Sequence, residues 1–354
     1  GNGKLDQYLK RKRLENEDNP IYLKVDWIPF DQFEGLDLLR RGGEGLIYVA
    51  NWKNGPLNLG PEKVALKCLH GSTSDIDKFI KELDIQVSLY HTNTPLCYGV
   101  SQLPTKQYII VMEYAEDGDL QRYIRTNFRS IKWKEKLEMM FDISKTLQII
   151  HKAQLVHGDL HSGNILRKND RFYISDLGLC RPYTETNDCS NLIGVLPYIA
   201  PEVLLGKPHG YEADIYGFGV IMWEITSGKQ PYGTLSHDVY LAQEIINGER
   251  PSIGSNVPSD ITNLIRECWS GEPKKRPNAD DIHAIFNKWL FEDLMYEKWP
   301  EPNVDYEHPP LENNVISTKC IPTNDLDYIS IQANYIIPDD LEYEDSVEIR
   351  IERY

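Results

Sequence analysis

The spacing of apolar positions changes character once along the chain. From Trp27 to Gly55, "WIPFDQFEGLDLLRRGGEGLIYVANWKNG", short apolar runs surround a double glycine and close on Asn-Gly, which predicts antiparallel strands joined by tight turns. "KVALKCL" and "YIIVMEY" read as further strands. Between them, "STSDIDKFIKELDIQVSLYH" offers Ser or Asp as an N-cap, and Ile76, Phe79, Ile80, Leu83 and Val87 then follow at helical spacing. After "EDGDL" the period becomes helical throughout. "KEKLEMMFDISKTLQIIHKA" carries Leu137, Met140, Phe141, Ile143, Leu147 and Ile150 on one broad face. "ADIYGFGVIMWEITSG" is apolar almost all round, as a helix buried mid-domain must be, and "SDITNLIRECWSGEPKKRPNADDIHAIFNKWL" predicts two helices around a Pro-ended turn. The pattern predicts an α+β chain: a small strand-rich lobe with one helix, then a larger helical lobe.

The flanks read differently. Residues 1–32 are charged and poorly periodic, and "LKRKRLENEDNP" predicts a solvated helix or an extended lead-in. The tail from 291 to 354 is rich in Pro, Asn and acids, which predicts disorder over most of it, with "DLDYISIQANYIIP" as a candidate strand. From Glu301 onward thirteen acids face three bases, so about ten of the sixteen net negative charges sit on this tail. A chain of net charge −16 repels nucleic acid and anionic lipid, so neither is expected as a partner, and the tail is a candidate surface for a protein partner.

At 354 residues and 41% apolar content the chain suffices for one large two-lobed domain or two small ones. It contains no apolar run of membrane-spanning length, and its polar start lacks a signal-peptide core. The first residue is not Met, which reads as a fragment or a processed chain. Six Cys lie far apart without a C-x-x-C pair, which predicts reduced thiols in the cytoplasm or nucleus.

Candidate chemistry lies in five places. "LLRRGGEGLIYVA" sets Gly42, Gly43 and Gly45 in a turn between strands, where backbone N–H groups can approach phosphates, although a plain hairpin turn reads equally well. "VALK" puts Lys67 on an apolar strand, and Glu82 on the following helix is its natural carboxylate partner. "VHGDLHSGNIL" brings Asp159 and, five residues on, Asn164 into one loop, as phosphoryl transfer requires for holding a hydroxyl and a magnesium ion together. "YISDLGL" then presents Asp176 after a short apolar strand as a second oxygen ligand. Two families write nearly this loop, the protein kinases and the small-molecule kinases of the aminoglycoside and choline phosphotransferase type.

The downstream residues separate them. "GVLPYIAPEVL", with Ala200, Pro201 and Glu202, the helix around Asp214, Cys268-Trp269 and Arg276-Pro277 together resemble a eukaryotic protein kinase from about Phe33 to Leu290. The likeness points to the tyrosine-kinase-like group, of fungal type. It implies a bilobal kinase domain over 33–290, with a small lobe at about 33–114 and a large lobe at about 115–290. It also implies ATP and Mg²⁺ as cofactors, a protein substrate, Ser/Thr preferred over Tyr, and a place in signal transduction.

By the same resemblance Asp159 orients the substrate hydroxyl, Asn164 and Asp176 hold magnesium, and Lys67 contacts phosphates while paired to Glu82. Leu39 and Arg40 belong to the phosphate loop. Ile47 and Ala65 would cover adenine from one side and Leu166 from the other, with Met112 at the rear and Glu113 and Ala115 supplying hinge backbone groups. Glu202 would pair with Arg276, Asp214 would brace the loop or act as a plain N-cap, and His157 would pack structurally. The sequence departs from the family at Arg40, which replaces the first loop glycine, and at Gly158, which replaces an Arg that meets an activation-loop phosphate. His161 stands in place of a Lys beside the γ-phosphate, and Val195 in place of a Thr. These departures keep a second reading open, a pseudokinase serving as nucleotide-binding scaffold or adaptor.

Overall fold

Strand Glu62–Leu69 shows how the first half of the chain is built: its alternate residues feed two separate apolar clusters, so the strand must be covered on both faces. The computed structural model describes residues 2–15, 25–41, 45–69, 75–89, 94–185, 191–233, 235, 237–300, 318–321 and 348–352, which form two units, 1–117 with 173–178 and 118–172 with 179–354.

In the first unit, α1 (Gly3–Glu15) leads to β1 (Asp26–Trp27), β2 (Phe33–Arg41), β3 (Gly45–Trp52), β4 (Glu62–Leu69), α2 (Ile76–Ser88), β5 (Cys97–Gln102) and β6 (Tyr108–Glu113). The sheet order is β1-β5-β6-β4-β3-β2, antiparallel except for the parallel β1–β5 edge pair. Val64, Leu66 and Cys68 of β4 pack with Phe33, Ala50, Ile109 and Val111 on one face. Ala65 and Leu69 join Ile110, Met112 and the α2 residues Phe79, Leu83 and Val87 on the other. Asp75 caps α2 by accepting from the Lys78 N–H. Residues 3–15 of the lead-in are helical, as one of the two readings had it, but the helix is not fully solvated. Leu5 and Tyr8 of α1 are buried in the α2 cluster, an i, i+3 stripe too short to stand out among its charged neighbours.

The second unit contains α3 (Leu120–Asn127), α4 (Trp133–Lys152), β7 (Leu155–Val156), β8 (Ile165–Lys168), β9 (Arg171–Ile174, its last two residues in the first unit), β10 (Arg181–Pro182) and β11 (Asn191–Gly194). It continues through α5 (Pro201–Leu204), α6 (Tyr211–Ser227), α7 (Val239–Ile246), α8 (Ser259–Cys268) and α9 (Ala279–Asn287). Helix α6 is buried from Ala213 to Thr226 without a break and ends on Gly228 in the left-handed conformation, as its all-round apolar sequence requires. The predicted turn between α8 and α9 is a short 3₁₀ helix at Pro273–Lys275. Arg276 grips Glu202 through two parallel bonds of 2.6 and 2.7 Å, with both residues buried. Of the acidic tail, β12 (Thr318–Ile321) and β13 (Glu348–Glu352) form strands, and β13 runs parallel to β11. The candidate strand at 325–338 lies outside the described residues.

Candidate active site

In the first unit the sheet register sets the order of the candidate residues. Ile47 faces Lys67 across the β3–β4 ladder, and Met112 faces Ala65 across the β4–β6 ladder. Ala65 and Lys67, two apart, share a face of β4. Ile47, Ala65 and Met112 therefore make an apolar strip that ends at the Lys67 ammonium. This ammonium is 2.6 Å from Glu82 Oε1 and 2.6 Å from Asp176 Oδ1, and its side chain is 8% exposed. Burial alone would lower its pKa, but Asp176 and Glu82 more than offset that and hold it above the ordinary lysine range, so it is charged at any physiological pH. Asp176 adopts φ 57°, a left-handed backbone that Asp tolerates better than most residues and that is often found at functional sites.

The phosphate-loop candidates divide. Gly42 and Gly43 lie outside the described residues. Leu39 is exposed on β2, and Arg40 pairs with Ile47 just past an irregularity in the β2–β3 register. Gly45 has a packing reason of its own: a Cβ there would sit 2.2 Å from the Cys68 carbonyl oxygen. The Glu113 N–H donates to the Leu96 carbonyl, and the Glu113 carboxylate accepts the Leu96 N–H, while Ala115 is half-buried beyond it.

In the second unit the catalytic-loop candidates are fixed by one another. Asn164 Nδ2 donates to the Asp159 carbonyl at 3.0 Å and to its carboxylate at 3.2 Å, and the Asp159 N–H donates to Nδ1 of the fully buried His157 at 3.2 Å. His161 Nδ1 accepts from the Gly163 N–H, so neutral His161 carries its proton on Nε2, which lies 3.7 Å from the Asp159 carboxylate. With its amide nitrogen directed at Asp159, Asn164 offers a carbonyl oxygen. That oxygen is a hard donor of the kind magnesium takes, and the Asp176 carboxylate of the first unit is another. Leu166, half-buried on β8, bridges to Asp119.

Asp214 is not an N-cap, since Gly210 holds that position and Asp214 lies inside the first turns of α6. It accepts the backbone N–H groups of His157 (2.8 Å) and Gly158 (3.1 Å), and ring nitrogens of His151 and His209 lie 2.9 and 3.0 Å from its oxygens. Burial would raise this carboxyl, but the two histidines outweigh burial and hold it well below the usual carboxylate range. Gly158 has φ +84°, and a Cβ there would meet the Leu179 carbonyl oxygen at 2.9 Å, so the loop's bracing calls for glycine at this point.

The sequence reading missed a supporting network behind this loop. Tyr198 donates to buried Glu224 at 2.7 Å and lies 3.0 Å from the Ser162 hydroxyl. Burial pushes the Glu224 carboxyl up to about 7, against the pull of hydrogen bonds from Tyr198 and Ser162. The available signal was a lone acid inside the apolar run "GVIMWEIT".

A two-sided sheet presenting a carboxylate-held lysine, with an Asp–Asn loop braced from a buried helix, defines the phosphoryl-transfer class that the sequence motifs suggested. The family described as protein tyrosine and serine/threonine kinase matches residues 34–286, and the chain belongs to it. Among its relatives, an RGS domain-containing serine/threonine-protein kinase of Dictyostelium discoideum is 27% identical over 254 residues, 71% of this chain and 22% of that protein. A protein of Acanthamoeba polyphaga mimivirus described as a serine/threonine-protein kinase/receptor is 28% identical over 252 residues, 70% of this chain and 15% of its own length. A LIM domain-containing serine/threonine-protein kinase of D. discoideum is 27% identical over 257 residues, 71% of this chain and 38% of its own. The chain thus spans well under half the length of these relatives.

Proposed function

We propose that this chain is an active protein kinase that transfers the γ-phosphoryl group of ATP to Ser or Thr hydroxyls of a protein substrate. The observation that carries the reading is the buried Lys67 ammonium, held 2.6 Å from each of two carboxylates at the end of an apolar strip suited to an adenine ring. Asp159, its carboxylate oriented by Asn164, accepts the proton of the substrate hydroxyl as the hydroxyl oxygen attacks phosphorus and ADP departs. Lys67 binds α- and β-phosphate oxygens, with Glu82 fixing its direction. Asn164 and Asp176 would hold magnesium, which supplies neutralising charge on the phosphates. His161, whose Nε2 lies 3.7 Å from the Asp159 carboxylate, is assigned a supporting place beside the transferring group. By the family resemblance we assign phosphate contact to Leu39, Arg40, Gly42, Gly43 and Gly45, adenine contact to Leu166, and hinge backbone contact to Glu113 and Ala115.

The preference for Ser/Thr rests on the relatives being described as serine/threonine-protein kinases, and the tyrosine-kinase-like assignment on His161 and the activation-segment motifs. We assign the kinase domain to 33–290, the lead-in to 1–32 and a partner-binding role to the tail at 291–354. Among the described residues no helix is long and apolar enough to cross a membrane. The dispersed cysteines, of which Cys68, Cys97, Cys180 and Cys268 are free and buried, suit a cytoplasmic or nuclear protein in signalling. Labelled ATP with magnesium on a peptide array, followed by phosphoamino-acid analysis, tests the proposal. Phosphoserine and phosphothreonine from the wild type, and none from Lys67→Met, are expected. Binding of ATP without transfer would favour the pseudokinase reading.

A further inference from the structure

Helix α1 meets α2 at two points on the same side. The Lys4 ammonium lies 2.6 Å from Asp77, and two turns on Tyr8 Oη (3.1 Å) and the Lys12 ammonium (2.8 Å) converge on Asp84. The two helices therefore run parallel, and Glu82 falls between the two latch points. Between the latches Leu5, Tyr8 and the half-buried Leu9 share one apolar cluster with Ile76, Phe79, Ile80, Leu83 and Val87. At ~100° per residue, Asp77 and Asp84 lie on the side of α2 away from Glu82, with Ile76, Ile80, Leu83 and Val87 on the flank between. Turning α2 far enough to take Glu82 off Lys67 would drag that flank out from under α1. Burial and Asp84 also push the Tyr8 phenol up, which keeps its proton available for donation to Asp84.

We propose that α1 is a positioning element for the Lys67–Glu82 pair: the apolar seat of Leu5 and Tyr8, flanked by the Lys4–Asp77 contact and by the contacts of Tyr8 and Lys12 with Asp84, holds α2 in the one rotation that keeps Glu82 on Lys67. The N-terminal helix then sets how much of the protein is competent for transfer. Its effect on turnover rests on the kinase reading above, whereas its effect on α2 does not.

Two variants test it together. Leu5→Asp removes the apolar seat, and Asp84→Asn, at a partly exposed position where folding is secure, weakens both contacts of one latch. Leu5→Met and the exposed Lys10→Ala serve as controls. Backbone hydrogen exchange across 76–88, compared with β3–β6, is measured beside kcat and the KM for ATP. The proposal predicts exchange in α2 rising at least about tenfold for Leu5→Asp and about threefold for Asp84→Asn, with the strands unchanged. Turnover at saturating ATP falls in parallel, and both controls match wild type. A merely structural helix would loosen the whole unit evenly and leave kcat per folded molecule unchanged, and that result overturns the proposal. So does α2 exchange equal to wild type in Asp84→Asn, even if Leu5→Asp fails to fold. Should wild type transfer no phosphate, the kinase reading fails, and the exchange pattern alone decides the role of α1.

Discussion

Glu224→Gln isolates the energetics of the network behind the catalytic loop. The residue is 2% exposed, and burial moves its carboxyl from 4.5 to about 7, opposed by hydrogen bonds from Tyr198 and Ser162. A carboxyl whose folded midpoint lies above its unfolded one favours the native state only while protonated. Stability therefore falls as pH rises from about 4.5 to about 7 and is level beyond that. The two midpoints differ by about 2.5 pH units. At ~1.4 kcal/mol per unit this comes to about 3 kcal/mol lost by the wild type at pH 8, and roughly 1 kcal/mol at pH 5. Gln keeps the oxygen that accepts from Tyr198 and cannot ionise, so its curve lacks this slope. Urea unfolding of both proteins at pH 5, 6, 7 and 8 should show the variant gaining on wild type by about 2 kcal/mol across the series. Parallel pH dependences would refute the assignment of a high carboxyl pKa to Glu224.

Three further substitutions probe other parts of the structure. Gly158→Ala should cost about 1–3 kcal/mol, through φ +84° and the contact with the Leu179 carbonyl oxygen, and thermal unfolding at the wild-type temperature would contradict it. Lys136 is fully buried, its ammonium 4.0 Å from the Phe128 ring centre and 5.1 Å from that of Trp133, and burial pushes its pKa down to about 7. Because the unfolded chain binds that proton more tightly, wild-type stability should rise between pH 7 and 10. Lys136→Met should be more stable by about 2–4 kcal/mol at pH 7 and by under ~1 kcal/mol at pH 10 in denaturant titrations, the ring contacts offsetting part of the burial cost. Arg276→Lys should lose about 1–3 kcal/mol, since a lysine cannot reproduce the paired bonds to Glu202, and an unchanged denaturation midpoint would show that the fork geometry is immaterial.

Most of the architecture was legible because period and burial agree. The alternation of "KVALKCL" and the unbroken apolar run of α6 leave each segment one way to bury its side chains. The candidate site was legible in those residues whose spacing is chemical, such as Asp159 and Asn164, or Lys67 with Glu82 on the next helix. What escaped depended on partners remote in sequence. The stripe Leu5, Tyr8, Leu9 means little until α2 supplies Asp77 and Asp84. Asp214 looks like a cap until Gly210 is seen to hold that place, and its histidine partners come from α4 and from the segment before α6. Gly158 read as the loss of an arginine, and only its backbone dihedral shows what glycine contributes there. Met139 of α4 is buried alongside the predicted face whereas Phe141 is only half-buried, because α4 is covered more widely on one side than its periodicity indicated.

The central claim is that Asp159 handles the proton of the substrate hydroxyl while other residues hold ATP. Single-turnover transfer from labelled ATP to an acceptor peptide, measured for wild type and Asp159→Asn beside ATP affinity by calorimetry, tests it most directly. The account predicts transfer slowed by about 10²–10⁴-fold with ATP affinity within about threefold of wild type. Transfer at the wild-type rate by Asp159→Asn would contradict it.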